Sequence, residues 1–142
     1  VRIINKINAA IKKRDFWMPF APAVLEDKAD MIMSVPASLK EYMSPYMMFT
    51  FESKKEMADK IVAGIHQFDK TTRAQTVNRE LYPDFYEIIS HFYKRTGIPA
   101  VLNTSFNLHG FPIVLGACDA VEVFLNSDLD MLVVENYLIR KA

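Results

Sequence analysis

Ile98-Pro99-Ala100-Val101-Leu102-Asn103-Thr104-Ser105-Phe106-Asn107 changes character halfway along. An aliphatic run entered from Gly97 gives way to a segment with four hydrogen-bonding side chains in five positions. The apolar half reads as a buried strand over 98–102, so the polar half lies where that strand leaves the core. In α/β proteins this is where ligands are held. If the strand continued, Asn103, Ser105 and Asn107 would share one face at period two, opposite Thr104 and Phe106. Buried amides and hydroxyls need partners, and a ligand can supply them. A self-satisfied turn, in which Asn and Ser bond to nearby backbone, is the competing account.

Working outward, the segment before this strand is a helix over 83–95. Pro83 suits its first turn, Asp84 its positive end, and Lys94 and Arg95 its negative end, and Gly97 stops it. Phe85, Ile88, Ile89 and Phe92 form its expected buried stripe. Downstream, a helix from about Asp119 to Asn126 buries Ala120, Val123 and Phe124, and Met131-Leu132-Val133-Val134 follows as a strand. Upstream, Ile3, Ile4, Ile7, Ala10 and Ile11 recur at three and four, predicting a helix from 3 to about 13 that ends in Lys12, Lys13 and Arg14. Pro19-Phe20-Ala21-Pro22 interrupts any helix, and Ala23-Val24-Leu25 can then be a strand. Residues 26–33 read as a helical turn or two, and Met47-Met48-Phe49-Thr50-Phe51 as a strand. A helix from 53 to 60 would be capped by Ser53 with Glu56 three residues on. Ile61 to Ile65 fits either a helix or a strand. Strands mixed with helices at this spacing predict an α/β or α+β domain with a mixed sheet.

The chain has 142 residues, enough for one domain. Its 51% hydrophobic and 24% charged content is that of a globular protein. Seventeen basic side chains balance seventeen acidic ones, which gives no electrostatic case for nucleic acid or an anionic membrane. The single cysteine, Cys118, excludes an internal disulfide and a thiol metal cluster, and points to a reducing compartment such as the cytoplasm. At the start of a helix it is expected to be packed. No apolar run approaches the length of a membrane span. The chain begins at Val1 with helix-like spacing already under way, as a piece of a longer protein would.

His66, His91 and His109 lack metal-ligand spacing, so no metal site is assigned. There is no Gly-rich nucleotide loop and no nucleophile elbow around Ser105. Two further polar clusters remain: Lys12-Lys13-Arg14, and Asp69 to Thr76 with its cation, hydroxyls and amide. Either alone ordinarily forms a solvated face or an exposed turn. Together they contain the parts of a phosphate or carboxylate site, because arginine offers a planar fork of donors and lysine a mobile point charge.

IKKRDFWMPFAPAVL (11–25), TTRAQTV (71–77) and TGIPAVLNTSFNLHGFPIV (96–114), followed by Asp119-Ala120, occur in that order. From about Ile3 to Val134 the chain resembles the C-terminal domain of the O-carbamoyltransferases that act on nodulation factors, cephalosporins and aminoglycosides. The resemblance implies a YrdC-like fold, a mixed twisted sheet with flanking helices, joined in the full-length protein to an N-terminal Kae1-like domain. It implies that this part cleaves carbamoyl phosphate and joins the carbamate to AMP from ATP, magnesium accompanying the nucleotide. The Kae1-like domain would then carry the carbamoyl group to an acceptor hydroxyl. The Lys-x-Arg and Ser-x-Asn elements of YrdC-like enzymes match Lys12 and Arg14, and Ser105 and Asn107, which become the expected catalytic residues. Arg73, with Thr72, Gln75, Asn103 and Thr104, becomes the expected site for nucleotide and carbamoyl phosphate.

The chain departs from its relatives at Met18, where many have a basic residue, and at Phe111, where many have glutamate. His66 and Asp69 are also one residue further apart than in the usual His-x-Asp-x-Thr. These departures leave open a non-catalytic docking or regulatory module. A YrdC-like enzyme of transfer RNA modification is a further alternative, which the balanced charge disfavours. An apolar face meant for the missing domain could also pair two copies of the chain.

Overall fold

The structure, a computed structural model, describes residues 2–12, 19–41 and 43–141. Within these the chain is α+β and divides into two compact units: one of the described residues up to 12 together with those from 104 on, the other of residues 19–103.

The larger unit is built around β1 (Ala21–Leu25), the centre strand of a mixed sheet. It pairs in parallel with β5 (Gln75–Val77) and antiparallel with β6 (Ala100–Asn103). Pro22 is tolerated in this central strand because pairing with β5 begins only at Ala23. Period two splits the side chains of β1 between two cores. Val24 packs with Ala29, Ile32, Met33, Phe51, Ile65 and Ala74 on one face, while Ala23 and Leu25 pack with Val77 and Ile89 on the other. The first face also carries a small antiparallel sheet of β2 (Met33–Ser34), β3 (Phe51–Ser53) and β4 (Thr71–Thr72), and the short helices α2 (Ala29–Ile32) and α3 (Lys55–Ala58). Gly64 is needed for close approach: a Cβ there would lie 3.0 Å from Cδ of Pro22.

The helix α4 (Pro83–Thr96) covers the second face, with Pro83 in its first turn. Gly97 ends it at φ 71°, its N–H donating to Tyr93 O at 2.8 Å. The buried stripe differs from the expected one. Ile89 is fully buried and Phe85 half-buried, but Ile88 and Phe92 are exposed, and Tyr82, Tyr86 and Tyr93 take their places. A tyrosine can bury its ring and keep its hydroxyl bonded at the rim, as Tyr86 does with Asp27 at 2.8 Å.

In the smaller unit, α1 (Arg2–Ile7) runs into a π-helical turn, Asn8–Lys12. The helix α5 (Ala117–Leu125) lays Ala120 and Phe124 against Leu132 of the hairpin β7 (Met131–Val134) and β8 (Tyr137–Arg140). Asp119 closes the start of α5, its carboxylate accepting the N–H groups of Leu115 at 3.0 Å and Gly116 at 3.1 Å. Cys118 is exposed rather than packed. Ala120 and Phe124 define the inward side, and a residue two positions from Ala120 lies about 200° around the helix.

Two other expectations are corrected. The strand expected at 47–51 is displaced to Phe51–Ser53, since Met47 has a left-handed φ of 56° that no strand accommodates. Ser53 does not cap a helix, because it lies in β3 and its hydroxyl donates to Lys70 O at 2.6 Å.

Candidate functional site

Lys12, the last residue of the π-helical turn, is only 2% exposed, so the solvated helix end is not where this lysine lies. Its Nζ donates to Asn107 Oδ1 at 2.6 Å, to Ser105 Oγ at 3.1 Å and to the Ser105 carbonyl. Ser105 Oγ in turn donates to Asn107 Oδ1 at 2.7 Å, and Asn107 Nδ2 donates to Phe111 O at 2.6 Å. The ammonium, hydroxyl and amide form one network in which each orients the next. The network joins Lys12 to Ser105 and Asn107, each more than ninety positions from it in sequence. It is backbone-anchored at Phe111, whose own side chain is 64% exposed. The departure from glutamate at this position therefore leaves the network's contact intact, since the carbonyl makes it. A recess of about 240 Å³, lined in part by Ile11, Leu108, His109 and Phe111, opens in the same unit.

The expected run of Asn103, Ser105 and Asn107 along one strand face is not formed, because β6 ends at Asn103. Asn103 belongs to the larger unit, where its Nδ2 donates to Gln75 Oε1 at 2.7 Å. Gln75 Nε2 donates on to Pro45 O at 3.2 Å. These two amides thus bridge β6 and β5 across the end of β1. Thr72 is 2% exposed, with its hydroxyl donating to Gly64 O at 2.8 Å, and Thr104 is exposed just beyond β6. Arg14 and Met18 lie outside the described residues.

Arg73 lies between β4 and β5 and is exposed. It lines a cleft of about 380 Å³ with Pro19, Phe20, Thr50, His66 and Asp69. The Pro-Phe-Ala-Pro segment and the Thr-Thr-Arg segment, distant in sequence, meet here. Despite the extra residue between them, His66 Nδ1 and Asp69 Oδ1 are 2.9 Å apart. Asp69 also accepts from the Thr71 hydroxyl at 2.7 Å and the Thr71 N–H at 3.0 Å. The Thr71 hydroxyl, its N–H and then His66 hold the Asp69 carboxyl down to about 2. The sequence signal for this pair was its spacing, which pointed away from it. Among the described residues no group of three or more His, Cys, Asp or Glu could hold a metal ion.

Among the described residues, one polar centre is the buried Lys12 ammonium with its hydroxyl and amide partners, and the other is the cleft that Arg73 lines with His66 and Asp69. Comparison with known proteins gives the family. The chain belongs to the carbamoyltransferase C-terminal family: the model described as "Carbamoyltransferase C-terminus" matches residues 1–141. It is 44% identical over 96% of its length to nodulation protein NolNO of Sinorhizobium fredii, and 40% identical over 96% to nodulation protein NolO of Bradyrhizobium diazoefficiens. It is 46% identical over 97% to an uncharacterised protein of Methanocaldococcus jannaschii. The chain spans 20%, 24% and 26% of the lengths of these three relatives.

Proposed function

We propose that the chain is the carbamoyl-adenylate-forming part of a longer carbamoyltransferase. The observation that carries this reading is the buried ammonium of Lys12 seated on Ser105 and Asn107, the Lys and Ser-x-Asn elements brought together. In the reaction, carbamoyl phosphate is cleaved to phosphate and carbamate. A carbamate oxygen then bonds to the α-phosphorus of ATP as the bond to pyrophosphate breaks. In the smaller unit Lys12, with Arg14 of the same Lys-x-Arg element, offsets the charge that gathers on phosphoryl oxygens, while Ser105 and Asn107 fix the lysine and orient the reacting oxygens; in the larger unit Arg73 offers a cation of its own to an anionic ligand. Thr72 and Gln75, whose side chains bond to protein groups, shape the surroundings of Arg73. Magnesium enters with the nucleotide, ligated by phosphate oxygens and water, since hard oxygen ligands are what it takes and the protein supplies cations here. An N-terminal Kae1-like domain of the same chain passes the carbamoyl group to an acceptor hydroxyl.

The test is calorimetric titration of the natural full-length protein with ATP and with carbamoyl phosphate in magnesium, beside the double variant S105A, N107A. Saturable binding is expected for the wild type. A hydrogen bond to a charged group contributes about 1.5–3 kcal/mol, so affinity in the variant should fall at least about tenfold. A folded wild-type protein that binds neither ligand overturns the reading.

A further inference from the structure

The loop between Gly64 and β4 is closed on itself. His66 N–H donates to Thr71 O at 2.8 Å, Lys70 N–H donates to His66 O at 3.0 Å, and Lys70 takes a left-handed φ of 57° to make the turn. Inside it, a single oxygen of Asp69 collects three donors: the Thr71 hydroxyl, the Thr71 N–H and His66 Nδ1. An ionised carboxylate only accepts hydrogen bonds, so the proton between the two side chains belongs to His66 Nδ1. In the neutral imidazole this leaves the lone pair on Nε2. His66 lines the same 380 Å³ cleft as Arg73. Asp69 and Arg73 are the only other charged groups among the described cleft residues, because Pro19, Phe20, Ala21, Thr50, Gly64 and Thr71 carry none. On the loop itself the Lys70 ammonium is engaged by Gln67 Oε1 at 3.3 Å. A proton acceptor of fixed tautomer lining one cleft with a guanidinium is an arrangement for activating water against a bound oxyanion.

We propose that His66 is the general base for the cleavage of carbamoyl phosphate, and that Asp69 is the residue that positions it. This rests on the carbamoyl-adenylate reading above. Water oxygen bonds to the phosphorus as the phosphorus–oxygen bond to the carbamoyl group breaks. The water proton passes to His66 Nε2, carbamate departs as the anion that later attacks ATP, and the phosphate formed stays against Arg73. Thr71 keeps the carboxylate ionised and in place, so the dyad is ready before substrate arrives. At this wider spacing the two side chains meet across the turn at residues 67–69, closed by the Lys70 N–H on His66 O.

Phosphate release from carbamoyl phosphate by the natural full-length protein decides the matter. The H66G variant is expected to lose about 10²–10⁴-fold in rate, the usual contribution of a general base. It should lose the rise of rate with pH, and added imidazole should restore both, which a structural role for the side chain would not allow. D69N is expected to lower kcat with little change in KM, because an amide can hold the other imidazole tautomer, while D69E retains most of the activity. Wild-type rate and pH profile in H66G would overturn this assignment and leave the adenylate reading standing, as would a loss that imidazole does not restore. A wild-type protein that releases no phosphate would overturn both.

Discussion

At the scale of single residues, hydrogen bonds to charged groups set the character of both polar centres. Lys12 is held by oxygens whose own geometry is fixed by further bonds, so its position does not depend on side-chain length alone. Asp69 shows the same principle with the sign of the charge reversed. Its carboxyl sits near 2 instead of 3.8, first because of the Thr71 hydroxyl and then the Thr71 N–H. Because the folded-state value is depressed, the stabilisation this carboxylate lends the loop is complete above about pH 4. It is lost as the pH falls through 2. Following the Asp69 carboxyl carbon by NMR should give a midpoint near 2 in the wild type. In T71V, which lacks the hydroxyl, the midpoint should move up towards the ordinary value; an unmoved midpoint would show that the hydroxyl is not the cause.

At the scale of elements, α4 shows how a helix chooses its buried face. Counting only aliphatic and phenylalanine side chains places Ile88 and Phe92 inside. The helix instead turns Tyr86 and Tyr93 toward the core that contains Ala23 and Leu25 of β1, with Tyr82 just before the helix packing beside them, and the Tyr86 ring is half-buried while its hydroxyl reaches Asp27. The result separates two adjacent isoleucines. Ile89→Ala should cost about 2–5 kcal/mol, as large-to-small changes at buried sites do. Ile88→Ala, at a position 62% exposed, should change stability by only about 0.5 kcal/mol. Urea denaturation of the two variants reads the difference directly, and equal losses would mean that the helix is rotated from the face described. The termini of this helix were legible beforehand, since Pro83 and Gly97 act through local backbone geometry.

At the scale of the whole molecule, each unit has its own core. In the larger one, β1 is the most enclosed element, with Ala23 and Val24 fully buried and Leu25 2% exposed. Native-state hydrogen exchange should find the amides of Ala23 to Leu25 among the slowest of that unit, opening only with its global unfolding. In the smaller unit, the two-stranded hairpin leaves Met131, Val133 and Leu138 more than half exposed, and its amides should exchange faster than those around Phe124. Comparable protection in β1 and the hairpin would argue against this ranking.

The class of the fold, the ends of α4, the strand entering Asn103, and the Lys12 and Ser105-Phe106-Asn107 elements that mark the family are all legible in the order of residues. These depend on local patterns: periodicity, proline and glycine geometry, and ordered motifs. Which polar groups meet is set by the folding of the chain. Ser105 and Asn107 went to Lys12, while Asn103, two residues before Ser105, went to Gln75 because β6 ends there. His66 reached Asp69 across a turn at residues 67–69, closed by the Lys70 N–H on His66 O, which no spacing rule anticipates. β8 escaped notice because Tyr137-Leu138-Ile139-Arg140 becomes a strand by pairing with β7, not by an alternating pattern of its own. A hydrogen bond between distant residues is set by where packing brings their backbones, and that information is spread over the whole chain instead of residing in the residues that make the bond.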